Sequence, residues 1–153
     1  MPITKDKKAL YPPDWDAISL AAKERAGWRC QWEGCGACQY AVGHWRQERG
    51  IWVWQPVEGY AGRGLLPMIG TKRWTYKEAQ QYAAELDWPQ SEEGPKPIVI
   101  VLTTMHLNHD PSDCRPENLK VACQRHHLAF DAPLHAKNAW RTRRAKSGTA
   151  ELF

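Results

Sequence analysis

Residues 98–131, IVIVLTTMHLNHDPSDCRPENLKVACQRHHLAFD, hold most of the side chains in this chain that can bind a metal or move a proton. Five of its six histidines fall between His106 and His135. Imidazole titrates near neutral pH and ligates borderline metals, so this density points to metal binding, acid–base work or both. Soft donors form a second group, split along the chain. Cys30, Cys35 and Cys38 lie in the glycine-containing stretch CQWEGCGAC, and Cys123 and His126 stand three apart in CQRH.

Either cysteine spacing in the first stretch suits half of a tetrahedral zinc site, with glycines letting the backbone fold around the ion. Cys123-x-x-His126 suits the other half. The preferred set is Cys30, Cys35, Cys123 and His126, with Cys38 as the alternative to Cys30 or Cys35. Such a structural Zn2+ would tie the first third of the chain to the start of a helix. The bland alternative is a set of buried thiols without metal. Cys114 has no partner at this spacing and reads as a spare thiol. Five cysteines behind a start that lacks a signal-peptide core favour metal binding over a disulfide framework.

Elements must bring these groups together. Residues 98–104 are β-branched and apolar, which predicts a buried strand delivering His106-Leu107-Asn108-His109. Asp110-Pro111 stops it, 112–116 reads as a loop, Pro116 opens a second extended piece over 119–122, and a helix begins at Cys123. Neighbours on a helix point about 100° apart, so His126 can face zinc while His127 faces elsewhere. Asp131, four residues on, shares the face of His127. Pro133 is expected to stop or kink that helix, leaving a second, basic helix over 134–146 with Asp131 as its cap.

The order of strand end with histidine, loop, asparagine, second strand and helix with histidine resembles the HNH endonuclease family, whose core is a ββα-metal finger. The family's first histidine falls on His109, its asparagine on Asn118 within Glu-Asn-Leu, and its last histidine on His127. The likeness covers roughly the last third of the chain plus the zinc knuckle at Cys30. It implies phosphodiester hydrolysis in DNA, nicking or cutting, by a compact phage-like nuclease. His109 would be the general base, Asn118 would fix the imidazole or the loop, and His127 would be the main ligand of a catalytic divalent ion (Mg2+, Mn2+, Ni2+ or Zn2+). Asn108 stands where the family has aspartate, and a neutral amide is a weaker ligand for a hard cation. His106 or Asp131 is expected to make up the ligand set, and Asn108→Asp to raise activity or metal affinity. Arg125 is a candidate phosphate contact. The alternatives are a catalytically weakened, zinc-stapled nucleic-acid-binding module and a structural metalloprotein that only binds other proteins.

The fold expected is α+β and a single domain over 1–153. Its ββα core spans 98–131 and is stapled by zinc half-sites near 30–38 and 123–126. Ahead of it come an N-terminal helix after Pro12-Pro13-Asp14, with Trp15, Ile18, Ala21, Ala22 and Arg25 near one face and a stop at Gly27, and an insertion over 45–97. That insertion is read as a hairpin over 40–57 turning at Glu48-Arg49-Gly50, a glycine-rich surface loop over 59–71, a helix opened by the capping box Thr75-x-x-Glu78, and a linker over 91–97. Trp52 and Trp54 alternate onto one hairpin face, and with Arg46 and Arg49 they could stack on bases, though core packing is the simpler reading. Gly62-Arg63-Gly64 lacks the lysine and strand of a nucleotide-binding loop.

The 153 residues carry a mild net charge of +4 and nine tryptophans. The 132–153 tail is basic, with Arg141, Arg143 and Arg144 grouped, which suits a DNA partner. No window is apolar enough for a membrane span, so the expected setting is cytoplasmic, the host cytoplasm if phage-encoded. No motif speaks to oligomeric state, DNA form or sequence preference.

Overall fold

The computed structural model describes residues 9–57, 68–69, 72–73, 75–86 and 96–146. The architecture is α+β, with three α-helices and small antiparallel sheets among the described residues. Helix α1 is Trp15–Arg25; β1 is Val42–Glu48 and β2 Ile51–Pro56; two short strands β3 (Met68–Ile69) and β4 (Lys72–Arg73) pair with each other. Then come α2 (Tyr76–Glu85), β5 (Ile98–Val99), β6 (Leu102–His106), a 3-10 turn at Pro116–Asn118, β7 (Leu119–Cys123) and α3 (Gln124–Lys146).

Helix α1 turns Trp15, Ile18, Ser19 and Ala22 inward at helical spacing, while Ala21 and Arg25, expected on that face, lie in solvent. It ends where Gly27 and Trp28 both take positive φ, the conformation that reverses a chain after a helix. Trp28 N donates back to Lys23 O at 2.9 Å, closing the last turn.

The strand expected over 98–104 is two strands in two different sheets. β5 pairs with β1, and β6 pairs with β7. At the switch the backbone amides find side-chain partners: Leu102 N donates to Gln39 Oε1 at 2.6 Å and Val101 N to Gln124 Oε1 at 3.0 Å. Two glutamine contacts, that of Gln39 buried and that of Gln124 half-buried, thus satisfy groups that a continuous ladder would have paired. Ile100, between the strands, is fully buried with Leu102, Val42, Val121 and Cys123.

The hairpin falls as expected, β1 with β2, turning on Arg49 (φ 49°) and Gly50 (φ 83°). Positive φ at both turn residues matches the right-handed strand twist. Gly43 is required for packing, since a methyl there would collide with the Gln55 carbonyl and the Trp54 ring. The capping box at Thr75 is formed: Thr75 N donates to a Glu78 carboxylate oxygen at 2.6 Å and Glu78 N to Thr75 Oγ1 at 3.3 Å. Most of the glycine-rich stretch and of the 91–97 linker lies outside the described residues, though Met68–Ile69, expected in a surface loop, form β3.

The β6–β7 hairpin is covered on both faces. Thr104 points to α1, where Ser19 Oγ donates to its Oγ1 at 3.0 Å. Thr103, one residue earlier and on the opposite face, meets α3. Helix α3 begins at Gln124, one residue after the expected start, and does not stop at Pro133 but runs unbroken to Lys146. Asp131 is therefore mid-helix and caps nothing. A proline inside a helix removes one backbone hydrogen bond. Here Pro133 is solvent-exposed, so water can reach the carbonyl it leaves unpaired.

Candidate metal centres

Cys30, Cys35, Cys123 and His126 place their ligand atoms all within 4.8 Å of one another. The preferred four-residue set is thus assembled. His126 Nδ1 stands 3.2 Å from Cys123 Sγ and 3.5 Å from Cys30 Sγ. Donors sharing a zinc ion at roughly 2.0–2.3 Å in a tetrahedron stand about 3.3–3.8 Å apart, so three thiols and one imidazole nitrogen at this spacing fit that ion. The thiols already lean on one another: hydrogen bonds from Cys123 and then Cys35 lower the pKa of Cys30, and the same contacts with burial raise that of Cys35.

Local structure explains the assembly. Gly34 and Gly36 take positive φ and turn the knuckle around Cys35. Gln31 ties the knuckle to β7 twice, its N–H donating to Val121 O and its Oε1 accepting from Val121 N, both at 2.9 Å. The His126 ring is stacked by Trp32 (5.4 Å, 4°) and met edge-on by Trp45 (5.5 Å). Cys38 is buried but outside the set, its Sγ directed to Gly36 O at 3.8 Å. Burial raises its pKa, as expected for a packed thiol.

A second constellation surrounds Asp131. Its Oδ1 lies 3.3 Å from His109 Nδ1, and its Oδ2 lies 3.2 Å from His127 Nε2 and 3.9 Å from His135 Nε2. His109 arrives from the loop after β6, in a left-handed backbone conformation (φ 59°) closed by its own N–H to His106 O at 3.1 Å. Non-glycine residues held there are uncommon and cluster at functional sites. Its ring is stacked on Phe130 at 4.8 Å. His127 is held from behind, where its Nδ1 hydrogen-bonds Thr103 Oγ1 at 2.7 Å, leaving Nε2 to face the carboxylate. A hydrogen bond of this kind on the far ring nitrogen orients an imidazole that ligates through the other. Two donors sharing an octahedral cation at about 2.1 Å stand about 3 Å apart, so His127 Nε2 and Asp131 Oδ2 are spaced for one ion.

His135 was not among the expected ligands. Its signal is the spacing His127-x3-Asp131-x3-His135, one stripe along the unbroken helix α3.

The other candidates go elsewhere. Asn108 does not hold its amide open for a cation: its Oδ1 accepts from Asp110 N and Asn118 Nδ2, both at 2.9 Å, and its Nδ2 donates to Asp113 Oδ2 at 2.9 Å. Both lone pairs of that oxygen are engaged. Asn118 braces the loop, as one of its two expected roles required, also donating to Asp113 O at 2.7 Å and accepting from Asn108 N at 3.1 Å. Beside them, Arg115 holds the Asp113 carboxyl down to about 2. His106 turns to the α1 face, stacked on Trp15 at 4.9 Å and edge-on to Tyr11, with Cys114 Sγ 3.6 Å from its Nε2. Burial lowers its pKa, with Asp110 and Asp113 pulling the other way. Arg125 sits over the indoles of Trp52 (4.2 Å) and Trp45 (5.3 Å), and Arg141, Arg143 and Arg144 ride on the last turns of α3. No helix among the described residues is long and apolar enough to cross a membrane.

Compared with protein-family models, with curated proteins and with solved structures, the chain gives no match.

Proposed function

We propose that the chain is a metal-dependent endonuclease of the HNH type, hydrolysing phosphodiester bonds in DNA. One observation carries this reading: a loop histidine, a helix histidine and a helix carboxylate meet on a strand–strand–helix unit, with Asp131 between His109 and His127. The two oxygens of Asp131 divide the work. Oδ1, 3.3 Å from His109 Nδ1, favours the proton on that nitrogen, which would leave Nε2 to take a proton from water. Oδ2 and His127 Nε2 form the pair that would hold a divalent ion. Such an ion supplies Lewis-acid stabilisation of charge on the scissile phosphate. The basic residues of α3 favour a polyanionic substrate, because each phosphate they neutralise releases counterions.

A second reading, a zinc-stapled nucleic-acid-binding module with weakened hydrolysis, is favoured by Asn108, a neutral residue with its oxygen already engaged. Incubation of zinc-loaded protein with supercoiled plasmid and Mg2+, Mn2+, Ni2+ or Zn2+ separates the two. The nuclease reading expects nicking that disappears in His109→Ala and falls at least tenfold in His127→Ala. Plasmid that stays supercoiled with every ion, while a gel shift still forms, favours the module.

A further inference from the structure

Beside the β1–β2 hairpin and the start of α3 lies a groove of about 600 Å³ lined by His44, Trp45, Arg46, Trp52, Lys96 and Arg125, among others. Three of its lining residues are cationic and none is acidic. Among the described residues no carboxylate lies within ion-pair distance of Arg125 or Lys96, while Arg46 has only a long contact to Glu48, 3.9 Å. Trp52 is 45% exposed although it is a large apolar side chain in a strand. Trp45 is buried, and its indole N–H has no acceptor among the described residues.

We infer that this groove is a binding site for an unpaired stretch of nucleic-acid strand, Trp52 offering a ring face to a base and Arg125, Arg46 and Lys96 meeting the flanking phosphates. Charge selects a polyanion, and the exposed indole selects one whose bases are unstacked, since a duplex hides the π-faces on which indoles stack. Arg125 is pre-positioned for this. Its guanidinium is held over two indoles, which fixes its plane and leaves in-plane N–H donors for a phosphate at little cost in rotamer freedom. Its neighbour His126 is anchored at the zinc set, so the metal staple also sets the groove wall formed by Arg125.

This inference rests on the nuclease reading for its biological use but not for its test. Zinc-loaded protein without added divalent ion would be titrated into a fluorescently labelled 12-nucleotide single strand and into the same sequence as duplex, following anisotropy and tryptophan quenching. The single strand is expected to bind more tightly and to quench tryptophan. Trp52→Ala should weaken single-strand binding roughly tenfold and duplex binding less than about threefold, with Trp52→Phe recovering most of the loss. Arg125→Ala should weaken the single strand and flatten the salt dependence by about one phosphate contact. Equal loss on both DNA forms, or no loss in Trp52→Ala, overturns the groove even if plasmid is nicked. Intact groove-dependent binding without any nicking supports the groove and counts against the nuclease.

Discussion

Thr103 and Asn108 illustrate how side chains that touch no ion can decide what one does. Thr103 hydrogen-bonds the far nitrogen of His127 at 2.7 Å and so aims Nε2 at Asp131. Thr103→Val keeps the shape and removes the hydroxyl, and should cost roughly 10- to 100-fold in divalent-ion affinity with little change in the melting curve. Asn108 changes an expectation drawn from sequence. Standing where the family has aspartate, it looked improvable, but its Nδ2 donates to Asp113, whose carboxyl Arg115 keeps ionised far into acid. Asn108→Asp would set two carboxylates against each other, so it is expected to lower thermal stability and not to raise nicking. A rise in nicking rate would show that the loop rearranges to offer the new carboxylate to the ion. The HNH resemblance singled out His109, Asn118 and His127, and helical spacing added Asp131; the structure brings His109, His127 and Asp131 together. The partners of Asn108 were not, because a loop without periodicity encodes no directions for its side chains.

At the scale of elements, spacing read the capping box at Thr75, the hairpin turn at Arg49-Gly50 and the start of α1, because each is fixed by local chemistry. Two errors share a cause. A run of β-branched residues predicts extended backbone but not which neighbour it pairs with, so residues 98–104 looked like one strand when Gln39 and Gln124 hold it across two sheets. Pro133 predicts a broken helix locally, yet the helix continues and carries His135 to within 3.9 Å of Asp131. Pro133→Ala restores the missing N–H and removes the ring clash on an exposed face. It should stabilise the protein by up to about 3 kcal/mol in urea unfolding. No gain would mean that the helix has already relaxed around the ring.

Over the whole molecule, the set Cys30, Cys35, Cys123 and His126 brings together parts of the chain that are distant in sequence. Cys30 and Cys35 precede α1's partner sheets, whereas Cys123 and His126 sit at the junction of β7 and α3. The knuckle thus reaches across to the β7–α3 junction, where the insertion supplies Trp45 against His126 and Arg125. The pairing of distant half-sites was legible because soft donors at fixed spacing have few other uses in such a chain. The groove was not, since its walls come from residues far apart in sequence. Metal analysis should find one tightly held zinc per chain, and strong chelation or Cys123→Ser should release it together with the near-ultraviolet signal of the packed tryptophans. Retained tertiary structure without zinc would make the four residues a packed cluster and not a staple.

The direct test of the account is a calorimetric titration of Mn2+ into protein whose structural zinc is in place. A single additional site, lost in Asp131→Asn and strongly weakened in His127→Ala, is the predicted result. No heat of binding in the wild-type protein, or binding that survives unchanged in Asp131→Asn, would contradict it.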